Sequence, residues 1–251
     1  MNQIEKVRTS ERNKLVENLT RQLVEDERVV AAWLHGSIGR GKFDVWSDID
    51  VWIVVKDEAF NVLIEDRHEE VTRIGDVVLT EEAPQNSPAG GTYLMAGYDS
   101  PTGIHLIDWY WQPLSLARRP GDVFILVEKG CLDQGEAQFA PPHVAWHPSP
   151  DDDAANSAAL AWAMIAIQAK YIARNPTEKG LGFQGFIEEL IEKACGSPYE
   201  STIEEFYEAT EKLERLEGMA RDLTRLVPNS SMPAKSVLKF LSSVRSSVEV
   251  S

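Results

Sequence analysis

The chain has 251 residues, 43% of them hydrophobic and seven of them Trp, which is enough for one large domain or two modest ones and too apolar for disorder throughout. Its formal net charge of -15 argues against a protein whose main work is holding DNA or RNA, because phosphate binding draws on clustered Lys and Arg. An acidic chain suits a cationic small molecule instead.

The N-terminal stretch MNQIEKVRTSERNK is charged and lacks the apolar core of a signal peptide. Residues 10–27 have helical periodicity, with Leu15, Leu19 and Leu23 on one face. Residues 29–34 are a short apolar run with the character of a buried strand. Glycines follow at 36, 39 and 41. Residues 49–55, rich in Val, Ile and Trp, predict a second strand. The pattern then predicts a helix over 59–73 and strands over 76–79, 92–96, 104–111 and 123–127.

Composition changes at residues 140–150, where Pro141, Pro142, Pro148 and Pro150 read as a linker. Asp151, Asp152 and Asp153 supply caps and favourable charge for a following helix. Helices are expected over 158–174, 183–195, 203–226 (with Gly218 as a candidate break) and 234–248. The most apolar late stretch, 154–172, is shorter than a bilayer span and carries Asn156, Gln168 and Lys170. Cys131 and Cys195 are far apart, and neither belongs to a Cys-x-x-Cys pair. The expectation is a reduced cytoplasmic protein with no membrane attachment. The fold class is α+β: a mixed β-sheet flanked by helices over residues 1–140, then an α-helical bundle domain over 151–251.

Gly36-Ser-Ile-Gly-Arg-Gly41-Lys42 matches the first seven positions of the phosphate-loop pattern G-x-x-x-x-G-K-[ST]. The eighth position is Phe43, which has no hydroxyl for Mg²⁺. A long helix should follow the lysine, and another strand follows instead. The ATPase reading fails on both counts. No G-x-G-x-x-G dinucleotide fingerprint can be aligned.

Asp48 and Asp50 flank Ile49, and strand alternation turns the two carboxylates to one face. Two such charges repel unless a cation lies between them. Mg²⁺ favours carboxylate oxygens together with substrate phosphate oxygens, and a pair of ions can brace an in-line displacement at phosphorus. A further carboxylate from another strand is needed. Asp108, in GIHLIDWYW, is the natural candidate, since an isolated acid in an apolar strand is costly unless paired or bound to metal. The bland alternatives are a solvated turn for Asp48 and Asp50 and a water-facing strand end for Asp108. Upstream, Gly36-Ser37 after a strand sets backbone N–H groups and a hydroxyl where phosphate oxygens can sit.

Leu34-His35-Gly36-Ser37, a spacer over 38–47, Asp48-Ile49-Asp50-Val51 and a later Asp108 together resemble the nucleotidyltransferase superfamily of the DNA polymerase β type. The resemblance covers roughly the first 110 residues. It implies that Gly36 and Ser37 hold the triphosphate and that Asp48, Asp50 and Asp108 bind Mg²⁺, two ions being usual. It further implies that Asp108 helps deprotonate the acceptor. Arg40, Lys42 and Ser47 are further candidates for phosphate, weighed against a solvated basic loop.

A sheet domain followed by a helical one is most similar to the antibiotic nucleotidyltransferases, which transfer AMP from ATP to a hydroxyl of an aminoglycoside or a lincosamide. In several of them a lysine on the first C-terminal helix reaches the nucleotide phosphates. Lys170 is the candidate here, against the alternative that it snorkels to the surface. By this resemblance the helical domain completes the substrate cleft. ATP is the expected co-substrate, with another NTP open, and the partner is a small cationic molecule. No stable nucleic-acid binding is expected, and the protein would be a monomer or homodimer.

Asp76, Glu81, Glu82, Asp99, Glu188, Glu189 and Glu192 are candidate cleft acids, and each is singly a better candidate for a solvated face. Trp109, Tyr110 and Trp111 could stack on substrate, with core packing expected for at least one. His143 and His147 have helical spacing, but the surrounding prolines argue against a metal site. His105 reads as structural. Two rival functions stand beside antibiotic modification: nucleotide transfer to a protein or RNA, as in toxin–antitoxin pairs, and a non-catalytic nucleotide-binding module.

Overall fold

The computed structural model describes residues 2–140, 150–177, 182–199 and 208–249. Most of the proline-rich linker, with His143 and His147, lies outside the described residues, as does the start of the helix expected from residue 203. The chain divides into two compact units. One is built on residues 10–98 and 106–140, the other on residues 2–9, 99–105 and the described residues from 150 on. The architecture is α+β, as expected.

The first unit holds a mixed sheet, six-stranded among the described residues, in the order β3-β4-β5-β2-β1-β6. The strands are β1 Val29–Leu34, β2 Ile49–Val55, β3 Val77–Glu81, β4 Thr92–Tyr98, β5 His105–Pro113 and β6 Phe124–Glu128. β1 pairs antiparallel with β2 and β6, β3 pairs antiparallel with β4, and β2 pairs parallel with β5. The parallel step places β5 beside β2 although about fifty residues separate them in sequence, the kind of join that needs a crossover rather than a hairpin.

Alternation along β2 sorts its side chains into two layers. Ile49, Val51, Ile53 and Val55 enter one core with Leu34, Leu94, Ile107, Trp109 and Trp111. Helix α1, Gln3–Glu25, covers that core with Leu15, Leu19 and Leu23, the face expected from the sequence. Trp52 and Val54 enter a second cluster on the other face, with Trp33 and Ala31. Asp50 shares this second face.

Several boundaries differ from the sequence reading. α1 begins at Gln3, ahead of its apolar stripe, because Asn2 and Glu5 cap it reciprocally: the Glu5 N–H donates to Asn2 Oδ1 and the Asn2 N–H to Glu5 Oε2, both at 2.9 Å. The helix expected over 59–73 is two, α3 Asp57–Glu65 and α4 Arg67–Thr72, joined at Asp66. Between β1 and β2 lies the single turn α2, Gly36–Gly39.

In the second unit α5 Pro150–Arg174, α6 Gln184–Cys195, α7 Ala209–Leu226 and α8 Ala234–Val248 pack around Trp162, Ile165, Ile187, Leu216 and Phe240. α7 runs through Gly218 without a break and starts from a capping box made by Glu208 and Glu211. Gly103, at φ +96°, lets the 99–105 segment approach α8: a Cβ there would fall 2.3 Å from the Phe240 nitrogen. Among the described residues no helix is long and apolar enough to cross a membrane.

Candidate active site

The site is built where β1 ends. The His35 N–H donates to the Asp50 carbonyl at 2.8 Å, so pairing with β2 runs up to the residue before Gly36. Gly36 then takes φ +60°, a region that disfavours any residue with a Cβ. Space excludes a side chain too. A Cβ on Gly36 would lie 2.0 Å from Asp50 Oδ2 and 2.7 Å from its Cγ. The carboxylate of Asp50 therefore rests on the bare Cα of Gly36.

α2 follows at once. The Gly39 N–H donates to the His35 carbonyl at 2.9 Å, and Gly39 packs so closely on the end of β1 that a Cβ would meet the Leu34 carbonyl oxygen at 2.4 Å. Ser37 sits half-buried in this turn, its carbonyl accepting from the Lys42 N–H at 2.9 Å. His35 is held toward its neutral form by burial, with Arg40 adding to the effect and Asp122 opposing it.

Arg40 and Lys42 are exposed. The loop beyond them is tied to α1 by Arg12, buried to 4% exposure, whose guanidinium donates to the Asp44 carbonyl and lies over the Phe43 ring. Asp44 and Ser47 close a tight turn. The Ser47 hydroxyl donates to Asp44 Oδ1 and accepts from the Asp44 N–H, each at 3.0 Å. Asp48 follows, half-buried, one residue before β2.

Asp50 and Asp108 are direct partners in the parallel register of β2 and β5. Ile49 and Ile107 precede them, also as partners, and both enter the α1 core, so the two aspartates share the opposite face. Both are half-buried. Tyr93 on β4 donates its hydroxyl to Asp108 Oδ1 at 2.6 Å and is itself only 2% exposed. Burial pushes the Tyr93 phenol far up, and the charge and hydrogen bond of Asp108 push it further, so it stays a donor. Tyr110, two residues past Asp108, is pushed up by burial and then by the charges of Asp108 and Asp50.

The aromatic candidates separate by face. Trp109 and Trp111 stack on each other in the α1 core. Tyr110 lies on the aspartate face, stacked on Trp52 with ring centroids 5.3 Å apart and tilted against Tyr93 at 5.2 Å. Gln112, buried, accepts from the Trp52 indole N–H and donates to the Ala89 carbonyl. Glu81 is buried and acts electrostatically on Tyr93. Glu82 is engaged by Arg67 and His68. In the helical unit, Asp99 pairs with Lys239 and Glu188 with Arg215. Lys170 lies on α5 and is buried. His105 is buried at the start of β5. Cys131 and Cys195 are free thiols.

Tyr93 escaped the sequence reading. The signal was there in alternation: Leu94, Ala96 and Tyr98 belong to the core, which turns Tyr93 the other way. What sequence lacked was the knowledge that β4 lies next to β5.

Among the described residues no three His, Cys, Asp or Glu side chains stand together as a metal cage. Mg²⁺ seldom uses one. It is commonly held by one or two carboxylates with waters and substrate phosphates. The hard oxygen donors of Asp50 and Asp108, neighbours on adjacent strands, fit that mode.

Residues 17–86 match the family model described as Polymerase beta, Nucleotidyltransferase. Over those residues the chain is similar to a nucleotidyltransferase domain. The match contains Gly36, Ser37, Asp48 and Asp50 and ends before Tyr93 and Asp108. No curated protein matches the chain. The glycine turn and the first two carboxylates thus lie inside the matched segment, and β5 adds Asp108 at the register position of Asp50.

Proposed function

We propose that the protein transfers AMP from ATP to a hydroxyl of a small cationic acceptor such as an aminoglycoside, releasing pyrophosphate. The observation that carries this reading is the seating of Asp50 on Gly36, with Asp108 as its partner across the strand pair. A phosphate-binding turn and two carboxylates then meet at one point of the sheet.

In this reading Gly36 and Ser37 receive the triphosphate, with Arg40, Lys42 and Ser47 as further phosphate contacts. Asp50 and Asp108, with Asp48 from the turn before β2, would hold Mg²⁺ together with the phosphate oxygens, whose charge it would neutralise. Asp108 accepts the proton of the acceptor hydroxyl. The acceptor oxygen forms its bond to the α-phosphorus as the bond from that phosphorus to the β-phosphate oxygen breaks, and pyrophosphate leaves with the electron pair. Positioning and fixed charge supply most of the acceleration. The net charge of -15 supports a cationic acceptor, because an acidic protein attracts polycations over distance.

The test is incubation of the full chain with α-labelled ATP, Mg²⁺ and a panel of aminoglycosides and lincosamides. Label on a small molecule is the expected result. Label on the protein itself or on an added protein or RNA overturns the acceptor class and leaves the transfer chemistry. No label on any acceptor, with any of the four NTPs, overturns the proposal.

A further inference from the structure

We infer that Tyr93 is a positioning residue of this site, its buried hydroxyl fixing the Asp108 carboxylate in the orientation that metal binding and proton acceptance require. The inference rests on the reading of Asp108 as a metal-holding carboxylate.

Three observations support it. First, the bond is short and charge-assisted in form, at 2.6 Å from phenol oxygen to Oδ1. Second, the tyrosine has little freedom: it is 2% exposed, and its ring is packed against Tyr110, which stacks in turn on Trp52. A side chain locked this way can hold another in place, whereas an exposed one would share the carboxylate with water. Third, β4 carries a built-in comparison. Tyr98, on the opposite face, donates its hydroxyl to the Val71 carbonyl at 2.8 Å, a bond that only ties α4 to the sheet. One strand thus spends one tyrosine on the core and the other on a carboxylate.

Asp50 and Asp108 stand side by side with like charge. Left to rotate, each would swing away from the other. The Tyr93 bond opposes that for Asp108, as contact with Gly36 does for Asp50. A carboxylate offers about four acceptor positions, so one taken by Tyr93 still leaves the group able to bind metal.

The experiment measures Mn²⁺ binding to the full chain by electron paramagnetic resonance, with kcat and KM for ATP alongside. Tyr93→Phe keeps the ring and removes only the hydroxyl. It should weaken Mn²⁺ binding and lower kcat by about 10- to 100-fold, the usual effect of losing a partner of a metal ligand, with KM for ATP little changed. Tyr98→Phe should lower the melting temperature and leave Mn²⁺ binding alone. Asp108→Asn should weaken Mn²⁺ binding, and adding Tyr93→Phe to it should cost nothing more. If Asp108→Asn weakens binding and Tyr93→Phe does not, the positioning role is wrong and the site reading stands. If Asp108→Asn has no effect, or the unsubstituted chain binds no Mn²⁺, the reading of Asp108 fails and the inference falls with it. If Tyr93→Phe unfolds while Tyr98→Phe does not, Tyr93 is structural and the inference is overturned.

Discussion

Asp50 and Asp108 are register partners in the parallel pairing of β2 and β5, on the face of the sheet away from α1. The metal-holding and proton-accepting roles proposed for this site follow from that adjacency and from what holds each carboxylate. Asp50 is held by a glycine that leaves room for it, and Asp108 by a buried tyrosine.

Gly36→Ala should disable the site with modest effect on the fold. The left-handed backbone costs an L-residue about 1–2 kcal/mol. The new methyl must also displace the Asp50 carboxylate, and misplacement of a reacting group by an ångström can cost about 100-fold in rate. Gly41→Ala is the comparison: φ is +66°, yet nothing lies within 4 Å of the added Cβ. It should lower the melting temperature comparably and keep most of the transfer rate. Melting curves and label transfer on both variants check this.

Ser47→Ala should open the turn that delivers Asp48 to β2. The substitution removes two reciprocal bonds to Asp44 at a buried position. The expected loss is about 1–2 kcal/mol, read from urea unfolding followed by Trp fluorescence.

Gln112→Leu should cost about 2 kcal/mol, since it leaves the Trp52 indole N–H and the Ala89 carbonyl without this buried partner. A shifted Trp emission maximum with an unchanged urea midpoint would contradict the assignment.

Acid should unfold the protein below about pH 4. Burial works against ionised Asp26, but hydrogen bonds and charge from Arg28, with Lys129, outweigh it and hold the carboxyl below its usual range. Glu82 is held low in the same sense, burial being outweighed by His68 and Arg67. A carboxyl with a depressed folded pKa contributes stability that is fully present above its unfolded pKa and lost as pH falls through the folded value. The Asp26→Asn protein should therefore be less stable near neutrality and lose less on acidification. Urea midpoints between pH 7 and about pH 3 test it.

Much of this was legible in the chain. Val29 to Leu34, Ile49 to Val55 and the helical stripe at Leu15, Leu19 and Leu23 announce themselves by burial pattern, and the Gly-Ser turn with Asp48-x-Asp50 points to phosphate chemistry. The start of α1 was not, because its first turns carry no apolar stripe and are set by the Asn2–Glu5 cap. Nor was the split at Asp66, since periodicity carries through a one-residue join. The contacts that make the site were hidden for a different reason. Gly36 meets Asp50 across an antiparallel pair, Asp50 meets Asp108 across a parallel one, and Tyr93 reaches Asp108 from β4. Such neighbours depend on strand order, which local pattern does not encode.

The most direct test compares label transfer from α-labelled ATP by the unsubstituted chain and by Asp50→Asn, with circular dichroism to confirm that both are folded. The account predicts Mg²⁺-dependent transfer with release of pyrophosphate by the first and its loss in the second. Undiminished transfer by a folded Asp50→Asn protein would contradict it.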